Sequence, residues 1–342
     1  MKILQAMAGG EYGGAEEFFV RLAIALNGLD IRQRVLIREN KMRARRLRAG
    51  GVEPLELRFG GMFDVISPWK IKRELSEFEP DIVLTWMNRA TKICSTEGDF
   101  THVGRLGGYY NLKYYEHCDH LIANTEDIAD YLVKNGWEEG KVHYLPNFVA
   151  AKKTKPLSRQ DFYTPNRAPL IVALGRLHEN KAFDVLLEAV SRVPNVYLWL
   201  AGEGEERAKL QDLAQKLGVK PRVRFLGWRE DPEAILAAAD VFVCPSRHEP
   251  LGNVVIEAWA QGVPVLAADS LGPGTLIKQG DTGLLVPIDD PTALAKSLKL
   301  LIEDESLRRT LGQSGQVAYD ANYTEQTVVD KYMAFFEKLM SH

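Results

Sequence analysis

Short apolar runs alternate with amphipathic segments along the whole chain, and glycine-containing or polar turns separate many of them. The first run, residues 2–7, is followed by a glycine-rich turn and by a segment in which Phe18, Phe19, Leu22 and Leu26 recur at helical spacing. Apolar strands joined by amphipathic helices are typical of a parallel sheet that is covered on both faces. The pattern therefore predicts a doubly wound α/β fold.

The same plan occurs twice. Strands are predicted in the first half at residues 2–7, 34–37, 81–86, 119–123 and 141–145, and in the second half at 170–175, 196–202, 223–227, 240–246, 263–268 and 283–287. Residues 150–169 are polar, punctuated by proline and without periodicity, as expected of a linker. A length of 342 residues also favours two domains. The sequence thus predicts two Rossmann-like units, and we expect a ligand cleft between them at the carboxyl ends of their strands.

Composition excludes several classes of function. The formal net charge is -3, and no basic stripe interleaved with aromatic residues is present, so nucleic acid is not an expected partner. The three cysteines are far apart and form no Cys-x-x-Cys pair, which argues against a disulfide framework or a zinc site and for a reducing compartment. The N-terminal apolar run is too short for a signal sequence, and no window approaches ~20 uncharged apolar residues. We expect a cytoplasmic protein.

Gly13 and Gly14 follow the first strand and lead directly into a helix. Glycine lets a ligand approach the backbone closely, and a helix N-terminus favours an anion. The turn is compatible either with a phosphate contact or with a tight strand-to-helix connection that binds nothing. Its spacing does not fit Gly-x-Gly-x-x-Gly, which argues against a dinucleotide site.

Arg176 and Lys181 lie five positions apart in the turn after the first strand of the second half. Two cations near one helix N-terminus suit a diphosphate, since guanidinium binds two oxygens and ammonium acts as a point charge. The alternative is a pair of solvated surface charges. His178, between them, is interpreted as a loop residue.

Glu249 precedes a predicted helix and Glu257 lies inside it, eight positions later. The amides of Gly252 and Asn253, at the start of that helix, are placed to meet a phosphate. Carboxylates beside a diphosphate suit sugar hydroxyl groups, because carboxylate oxygens accept hydrogen bonds. One ligand that contains a sugar, a diphosphate and a ribose would satisfy all the charges, and that ligand is a nucleotide sugar.

The motifs together resemble retaining glycosyltransferase family 4, whose members have the two-Rossmann-domain fold called GT-B. The matching motifs span nearly the whole chain and are, in order, Gly-Gly-Ala-Glu at 13–16, Leu-Pro-Asn at 145–147, Gly-Arg-Leu at 175–177, Ala-Gly-Glu-Gly-Glu-Glu at 201–206, Phe-Leu-Gly at 225–227, Glu-x7-Glu at 249–257, Gly-Leu-Leu-Val-Pro at 283–287 and the closing helix.

The resemblance implies a role for each matching position. The catalytic candidates are Arg176 and Lys181, on the diphosphate, and Glu249, on the hydroxyl groups of the donor sugar. The donor-binding candidates are Gly13 and Gly14 at the distal phosphate, Leu251, Gly252 and Asn253 at the sugar and phosphate, Glu257 at the ribose, and Gly202, Glu203 and Arg229 beside the base.

The resemblance also implies a domain arrangement. Residues 1–155 would form the acceptor-binding domain, residues 165–323 the nucleotide-sugar-binding domain, and the helix of residues 324–342 would cross back to the first domain.

Two departures from the family pattern stand out. Ala182 follows Lys181 where the family often has glycine. Many members also carry a histidine at the end of a first-domain strand, whereas His102 lies at the start of that strand here and is interpreted as structural. The sequence therefore names no catalytic base.

Two further patterns concern the acceptor. Residues 41–48 contain five cations and no acid, which indicates either a solvated helix face or a patch that docks on anionic lipid at ~1 kcal/mol per cation. Residues 107–115 contain four tyrosines, which suit stacking on a saccharide or lipid-linked saccharide, or equally the core and rim of the first domain. The acceptor candidates are Arg105, Tyr109, Tyr110, Asn111 and Lys113.

We expect transfer of a hexose-type sugar with retention, from a UDP-sugar rather than a GDP- or ADP-sugar, in the synthesis of a cell-envelope glycan such as lipopolysaccharide. No Asp-x-Asp occurs in the chain, so neither a metal nor a separate cofactor is expected. The protein would be cytoplasmic, with peripheral contact to the inner face of the plasma membrane as an option. The alternatives are a phosphorylase-like or sucrose- or trehalose-type enzyme, a non-catalytic nucleotide-sugar-binding subunit, and, least favoured, a dinucleotide oxidoreductase.

Overall fold

A computed structural model describes residues 1–11, 13–60, 64–94, 97–149 and 154–341. The chain divides into two compact units, Met1–Phe148 with Glu325–His342 and Val149–Thr324. Each unit is described by itself.

The strands of the first unit are β1 (Lys2–Met7), β2 (Arg32–Arg38), β3 (Pro54–Leu57), β4 (Ile82–Trp86), β5 (Thr101–Leu106), β6 (His120–Ala123) and β7 (Val142–Tyr144). Those of the second unit are β8 (Leu170–Leu174), β9 (Tyr197–Ala201), β10 (Val223–Gly227), β11 (Val241–Cys244), β12 (Val265–Ala268) and β13 (Leu284–Val286). The helices, in chain order, are α1 (Gly14–Asn27), α2 (Lys41–Ala49), α3 (Ile66–Phe78), α4 (Met87–Ile93), α5 (Glu126–Lys134), α6 (Phe183–Ser191), α7 (Arg207–Lys216), α8 (Pro232–Ala237), α9 (Asn253–Ala260), α10 (Leu271–Leu276), α11 (Pro291–Glu303), α12 (Glu305–Asn322) and α13 (Glu325–Met340).

Each unit contains one parallel sheet. The strand order is β3-β2-β1-β4-β5-β6-β7 in the first unit and β10-β9-β8-β11-β12-β13 in the second. Every paired strand runs parallel to its neighbour. The prediction of two Rossmann-like doubly wound sheets, the GT-B plan, is confirmed.

The central strands are buried throughout because helices cover both faces of each sheet. β4 is buried at all five positions, and α1 buries Phe18, Phe19, Leu22 and Leu26 against the first sheet. The apolar runs of the sequence are therefore the cores of the two units.

The closing helix α13 packs on the first unit. Val328, Tyr332 and Phe336 are fully buried in the hydrophobic cluster that contains α1 and β4. The Tyr332 hydroxyl accepts a hydrogen bond of 2.8 Å from Nε of the buried Arg105. The prediction that this helix returns to the first domain is confirmed.

The prediction of a linker at residues 150–169 is wrong for residues 154–169; residues 150–153 lie outside the described part of the chain. The Arg159 guanidinium donates to the Ala238 carbonyl at 2.6 Å and pairs with Asp240 at 3.1 Å. The Phe162 ring lies 5.0 Å from that of Trp199. A segment without periodicity is held here by single anchoring side chains, so it forms part of the second unit.

Among the described residues, no helix is both long enough and apolar enough to cross a bilayer.

Candidate functional site

The loops after β8, β9 and β11 meet at one edge of the second sheet, because these strands are parallel and β8 lies between the other two. Arg176 and Lys181 follow β8, Glu203 follows β9, and Glu249 follows β11. The fold of the second unit thus brings together charged residues that lie up to 73 positions apart (249 minus 176).

Lys181 and Glu249 form an ion pair across two of these loops. Their side chains are 23% and 11% exposed, so the pair is largely withdrawn from water. The backbone reinforces it, since the amides of Arg247 and His248 both donate to the Asn180 carbonyl, at 2.9 and 3.3 Å. The sequence predicted both residues for the donor but did not predict that they contact each other.

Arg247 fixes the same loop from its outer side. Its guanidinium pairs with Asp184 at 2.7 Å and with Asp289 at 2.6 Å. The side-chain hydrogen bond to Asp184 is the main reason that the pKa of Arg247 lies above its ordinary value, and the charges of Asp184 and Asp289 add to it. Arg247 therefore positions the loop that carries Glu249.

Ala182 adopts the left-handed conformation, with φ of +50°, immediately before α6. Glycine reaches this conformation without the steric cost that a side chain imposes. Ala182 is fully buried in the hydrophobic core of the second unit. The departure from Lys-Gly noted in the sequence therefore places a buried methyl group at a position whose conformation favours glycine.

Arg176 is the more exposed of the two predicted diphosphate cations. Its guanidinium pairs with Glu205 at 3.1 Å, and 68% of its side chain is accessible. His178 approaches the same carboxylate at 3.5 Å. Arg176 is accessible to a ligand, and the Glu205 pair would have to yield or adjust as a diphosphate bound.

Gly202 has a structural reason to be glycine. Its φ is +142°, and a Cβ atom there would lie 1.9 Å from the Gly175 carbonyl oxygen. The Gly202 amide donates to the Gly227 carbonyl at 2.8 Å. The residue holds the loops after β8, β9 and β10 close together, whatever else it contacts.

The other residues predicted beside the base are held by neighbours. Glu203 accepts a hydrogen bond from Arg207, and Arg229 makes two hydrogen bonds to Asp231, of 2.8 and 2.6 Å. Trp228 next to them is 76% exposed. This group offers a ring face and charged edges at the end of β10.

The N-terminus of α9 lies at the same edge. Gly252 caps the helix with φ of +67°, and a Cβ atom at Gly272 would come within 2.7 Å of the Gly252 nitrogen. Leu251 is half-buried and Asn253 is the first helical residue. Glu257, one turn further, lines a shallow hollow with Val149, Pro232, Glu233, Leu236 and Gln261.

In the first unit, Gly13 precedes α1 and Gly14 begins it. The Glu16 carboxylate occupies this turn: it accepts from the Gly10 amide at 2.6 Å, and a Cβ atom at Gly13 would lie 2.2 Å from one of its oxygens. An acid already stands at the positive end of α1, so a phosphate there would have to use the Gly14 side of the turn.

Asn124, which directly precedes the cap of α5, was not predicted as a site residue. The structure gives the cap to Thr125, whose hydroxyl accepts from the Ile128 amide at 3.2 Å. Asn124 is 5% exposed, and both polar atoms of its carboxamide lack a hydrogen-bond partner among the described residues. Its Nδ2 lies 3.6 Å from the position of a Cβ atom at Gly107, at the carboxyl ends of β5 and β6. An Asn-Thr pair at a strand end was the only sequence signal for it.

Arg105 is not presented to an acceptor, contrary to the expectation from the sequence. It is 1% exposed, and its guanidinium lies over the rings of Trp86 and Phe18 at 4.4 and 4.7 Å. It also donates to Asn147 at 2.6 Å. Its position on β5 turns it into the core, where it binds α13.

The other acceptor candidates lie at the surface of the first unit. Tyr109 is exposed, donates to Asp127 and packs edge-on against Tyr131. Asn111 accepts from the Lys113 amide at 3.2 Å, and both residues are exposed. Tyr110 is half-buried, and burial raises its pKa.

His102 is buried at the amino-terminal end of β5, as expected of a structural residue. Its Nε2 lies 2.9 Å from the Thr85 hydroxyl. Burial, together with His117 nearby, lowers its pKa to about 4. It lies at the end of the strand opposite to the loop that carries Tyr109 and Tyr110.

The basic segment of residues 41–48 forms α2, and much of its charge is engaged. Arg43 is buried and donates to the Gly10 carbonyl at 2.6 Å. Arg46 pairs with Glu17 at 2.5 Å, and Arg48 pairs with Glu53 at 2.9 Å. Lys41 and Arg45 are exposed.

Comparisons with known proteins agree with this architecture. The sequence matches the family described as Glycosyltransferase Family 4 over residues 12–153 and the family described as Glycosyl transferases group 1 over residues 154–317. The two matches together cover most of the chain.

Two relatives from Rhizobium meliloti (strain 1021) are similar over nearly their whole length. The lipopolysaccharide core biosynthesis glycosyltransferase LpsE is 36% identical over 95% of this chain and 96% of its own. LpsD, with the same description, is 35% identical over 99% and 98%. The structure of Anabaena HepE in complex with UDP has a TM-score of 0.88 at 21% identity, over 99% of this chain and 100% of HepE, and supports the fold.

Proposed function

The chain belongs to glycosyltransferase family 4 and is a retaining glycosyltransferase, and we propose that it moves a hexose from a UDP-sugar to a saccharide or lipid-linked saccharide of a cell-envelope glycan. Its relatives LpsE and LpsD are named for lipopolysaccharide core biosynthesis, and HepE binds UDP in a similar fold. These names support the choice of UDP and of an envelope acceptor.

The observation that carries the proposal is the Lys181–Glu249 pair at the carboxyl edge of the second sheet. Ammonium has three donors, so Lys181 keeps Glu249 while it donates to a phosphate oxygen. The carboxylate of Glu249 has lone pairs left for the hydroxyl groups of a sugar. One pair thus contacts both sides of the bond that breaks.

The other groups at this edge of the second sheet would each bind a different part of the nucleotide sugar. Arg176 and the amides of Gly252 and Asn253 would bind the diphosphate, and Glu257 would bind the ribose. Gly202, Glu203 and Arg229 would flank the base, and Leu251 would line the sugar.

The bond from the sugar to the diphosphate breaks through an oxocarbenium-like state, as in other glycosyl chemistry. Charge develops on the departing diphosphate, and preorganised donors at that position lower the barrier. Arg176, Lys181 and the helix amides provide such donors without a metal ion. Removal of one donor of this kind typically costs ~10²–10³ in turnover.

The first unit would bind the acceptor and the distal end of the donor. Gly14 would offer its amide to the distal phosphate, with Gly13 giving access to it. Asn124 joins the candidates, because a buried carboxamide without a partner at a strand end is suited to the hydroxyl groups of a sugar. Tyr109, Tyr110, Asn111 and Lys113 lie on the loop that follows β5 and would contact the acceptor.

Contact with an anionic membrane would depend on the exposed cations of α2. With Lys41 and Arg45 as its main contributors, the attraction amounts to about 2 kcal/mol. Flotation with vesicles that contain anionic lipid, at low and at physiological salt, tests it. Absence of binding at low salt would remove the membrane from the proposal.

The experiment for the central proposal is a donor panel. Purified enzyme is assayed with UDP-, GDP- and ADP-hexoses and with a truncated lipopolysaccharide core as acceptor, in the presence and absence of EDTA. We expect transfer from UDP-hexose that is insensitive to EDTA, with the anomeric configuration retained by NMR. Release of sugar to free phosphate alone, or loss of transfer in EDTA, would contradict it.

A further inference from the structure

A second group of chemically reactive side chains lies in the first unit, away from the carboxyl edge of its sheet. One ring nitrogen of His102, one ring nitrogen of His117 and the Sγ atom of Cys118 lie within 4.8 Å of one another. His102 is at the start of β5, and His117 and Cys118 come directly before β6. The group therefore lies at the amino-terminal edge of the first sheet.

Hydrogen bonds orient both imidazole rings. Nε2 of His117 lies 3.0 Å from the Thr91 carbonyl, which accepts only, so the proton of this ring is on Nε2. The Thr85 hydroxyl lies 3.5 Å from the Val103 carbonyl and 2.9 Å from Nε2 of His102. If the hydroxyl donates to Val103, it accepts from His102. Both rings are then held with a lone pair on Nδ1.

His102 leaves that lone pair unused. It is 2% exposed, and its Nδ1 is a buried atom with no hydrogen-bond partner among the described residues. A buried acceptor without a partner loses its hydration and gains nothing in return, which is unfavourable. A cation between the two rings and the thiol would use it.

We propose that His102, His117 and Cys118 bind one Zn²⁺ ion or a similar transition-metal ion as a structural clamp. Two imidazoles and a thiolate form a ligand set that zinc accepts, with water as a fourth ligand. Bond lengths of about 2.0–2.3 Å place neighbouring ligand atoms roughly 3.3–3.7 Å apart, so the side chains would close by about 1 Å on binding. His117 is partly exposed and would give the ion its route from solvent.

The hydrogen-bond partners of the histidines fit the same assignment. Histidines that bind a metal donate their other ring N–H to an oxygen, which fixes the tautomer and the direction of the ring. The Thr91 carbonyl and the Thr85 hydroxyl occupy these positions. The clamp would join the start of β5 to the loop that enters β6.

The inference does not rest on the proposed sugar transfer, because none of these residues belongs to the candidate donor or acceptor groups. The sequence argued against a zinc site because the cysteines are isolated. Fifteen positions separate His102 from His117 (117 minus 102), and the fold closes that distance.

Cobalt substitution tests the site in the full-length chain. The protein is stripped with EDTA, titrated with Co²⁺ and followed by absorption, because cobalt bound to a thiolate gives a charge-transfer band. We expect saturation near one equivalent, displacement of Co²⁺ by Zn²⁺, and loss of the band in Cys118→Ser. Cys94→Ser, at the neighbouring buried cysteine, is the matched control and should keep the band.

Two further variants keep the test decisive if Cys118→Ser folds poorly. His117→Asn changes a partly exposed ligand. Thr85→Val removes the hydroxyl that contacts Nε2 of His102 and keeps the size of the side chain. Loss of such a partner typically weakens metal binding ~10–100-fold, which competition with a chromophoric chelator measures. Wild-type protein that takes up no Co²⁺ or Zn²⁺, or a band that survives in a folded Cys118→Ser variant, would overturn the proposal.

Discussion

Glu249 is an anion largely withdrawn from solvent, and Lys181 is the cation beside it. Removal of one member of such a pair leaves the other charge without its partner, which destabilises more than the pair itself stabilises. The two residues therefore stabilise each other in the absence of any ligand. Their effect on the free energy of unfolding can thus be measured separately from their effect on turnover.

Lys181→Ala should lower the free energy of unfolding by about 1–3 kcal/mol, because the Glu249 carboxylate loses its cation. Glu249→Gln should cost less, since the ammonium of Lys181 is the more exposed partner. The double variant should recover part of the loss, with a coupling of about 0.5–3 kcal/mol in urea denaturation.

Turnover should fall in all three variants, by ~10²–10³ where Lys181 is removed. Strict additivity of the unfolding energies would show that the pair is not formed.

Asn124 allows a sharper separation of stability from function. Asn124→Leu replaces a buried carboxamide that lacks partners by an apolar side chain of similar size, so stability should be unchanged or rise by about 1 kcal/mol. If the carboxamide contacts substrate, kcat/KM should nevertheless fall about tenfold. Thermal unfolding and initial rates on the same preparation measure both.

A variant of Asn124 that gains stability and keeps full activity would make the residue a mere packing position. Asn135→Leu, at an exposed position after α5, is the control for the substitution itself.

At the scale of elements, the sequence predicted most strands closely, because a buried parallel strand is an uninterrupted apolar run. β1 and β10 have the predicted limits, and β4 differs by one residue. β3 was not predicted: it has four residues, lies at the edge of its sheet and includes Pro54 and Glu56. An edge strand is not obliged to be apolar on both faces, so its pattern carries little signal.

Side-chain contacts within the site were harder to predict than its elements. Glu-x7-Glu indicated which residues lie at the strand ends. The ion pair between Lys181 and Glu249, however, forms because β8 and β11 are neighbours in the sheet, and the sequence pattern does not give the strand order. For Arg105, the sequence predicted a contact that the structure does not allow. A cation in an apolar strand was assigned to the acceptor, whereas Trp86, Phe18 and Tyr332, distant in sequence, enclose it in the core.

The packing of α13 has a titratable contact. The His143 ring of β7 lies 4.5 Å from the Phe335 ring, and its Nε2 is 3.1 Å from Nδ1 of His120. Burial first, then His120 and Lys338, lower the pKa of His143 from 6.5 to about 4. Burial also lowers the pKa of His120. Both rings are therefore neutral in the folded protein near neutral pH.

The folded protein binds a proton at His143 less readily than the unfolded chain does, because the folded pKa is the lower one. The stability contributed by the neutral histidine is therefore complete above the unfolded pKa of 6.5 and is lost as the pH falls from there towards the folded pKa of about 4. The stability of the first unit should accordingly fall between pH 6.5 and pH 4. His143 is partly exposed, so we expect its share to be about 1 kcal/mol between pH 7.5 and 5. His143→Gln should flatten this part of the denaturation profile. An unchanged slope in His143→Gln would place the pH dependence elsewhere.

At the scale of the whole molecule, the two units differ in how the chain builds them. Each buried hydrophobic cluster of the described residues belongs to one unit. The first unit is discontinuous, because α13 completes its largest cluster from the far end of the chain. The second is a single stretch, Val149–Thr324, with its own sheet and both of its clusters.

A fragment of residues 149–324 should therefore fold alone and retain the groups assigned to the nucleotide, whereas residues 1–148 without α13 should expose Phe18 and Phe148 and aggregate. Saturation of the fragment with UDP at a hundred times its dissociation constant should stabilise it by ~2.7 kcal/mol, which differential scanning fluorimetry detects. Arg176→Ala in the same fragment is the matched control and should reduce that gain at equal UDP. A folded fragment that UDP does not stabilise would mean that nucleotide binding requires the first unit, and the donor site assigned to the second unit would then be incomplete.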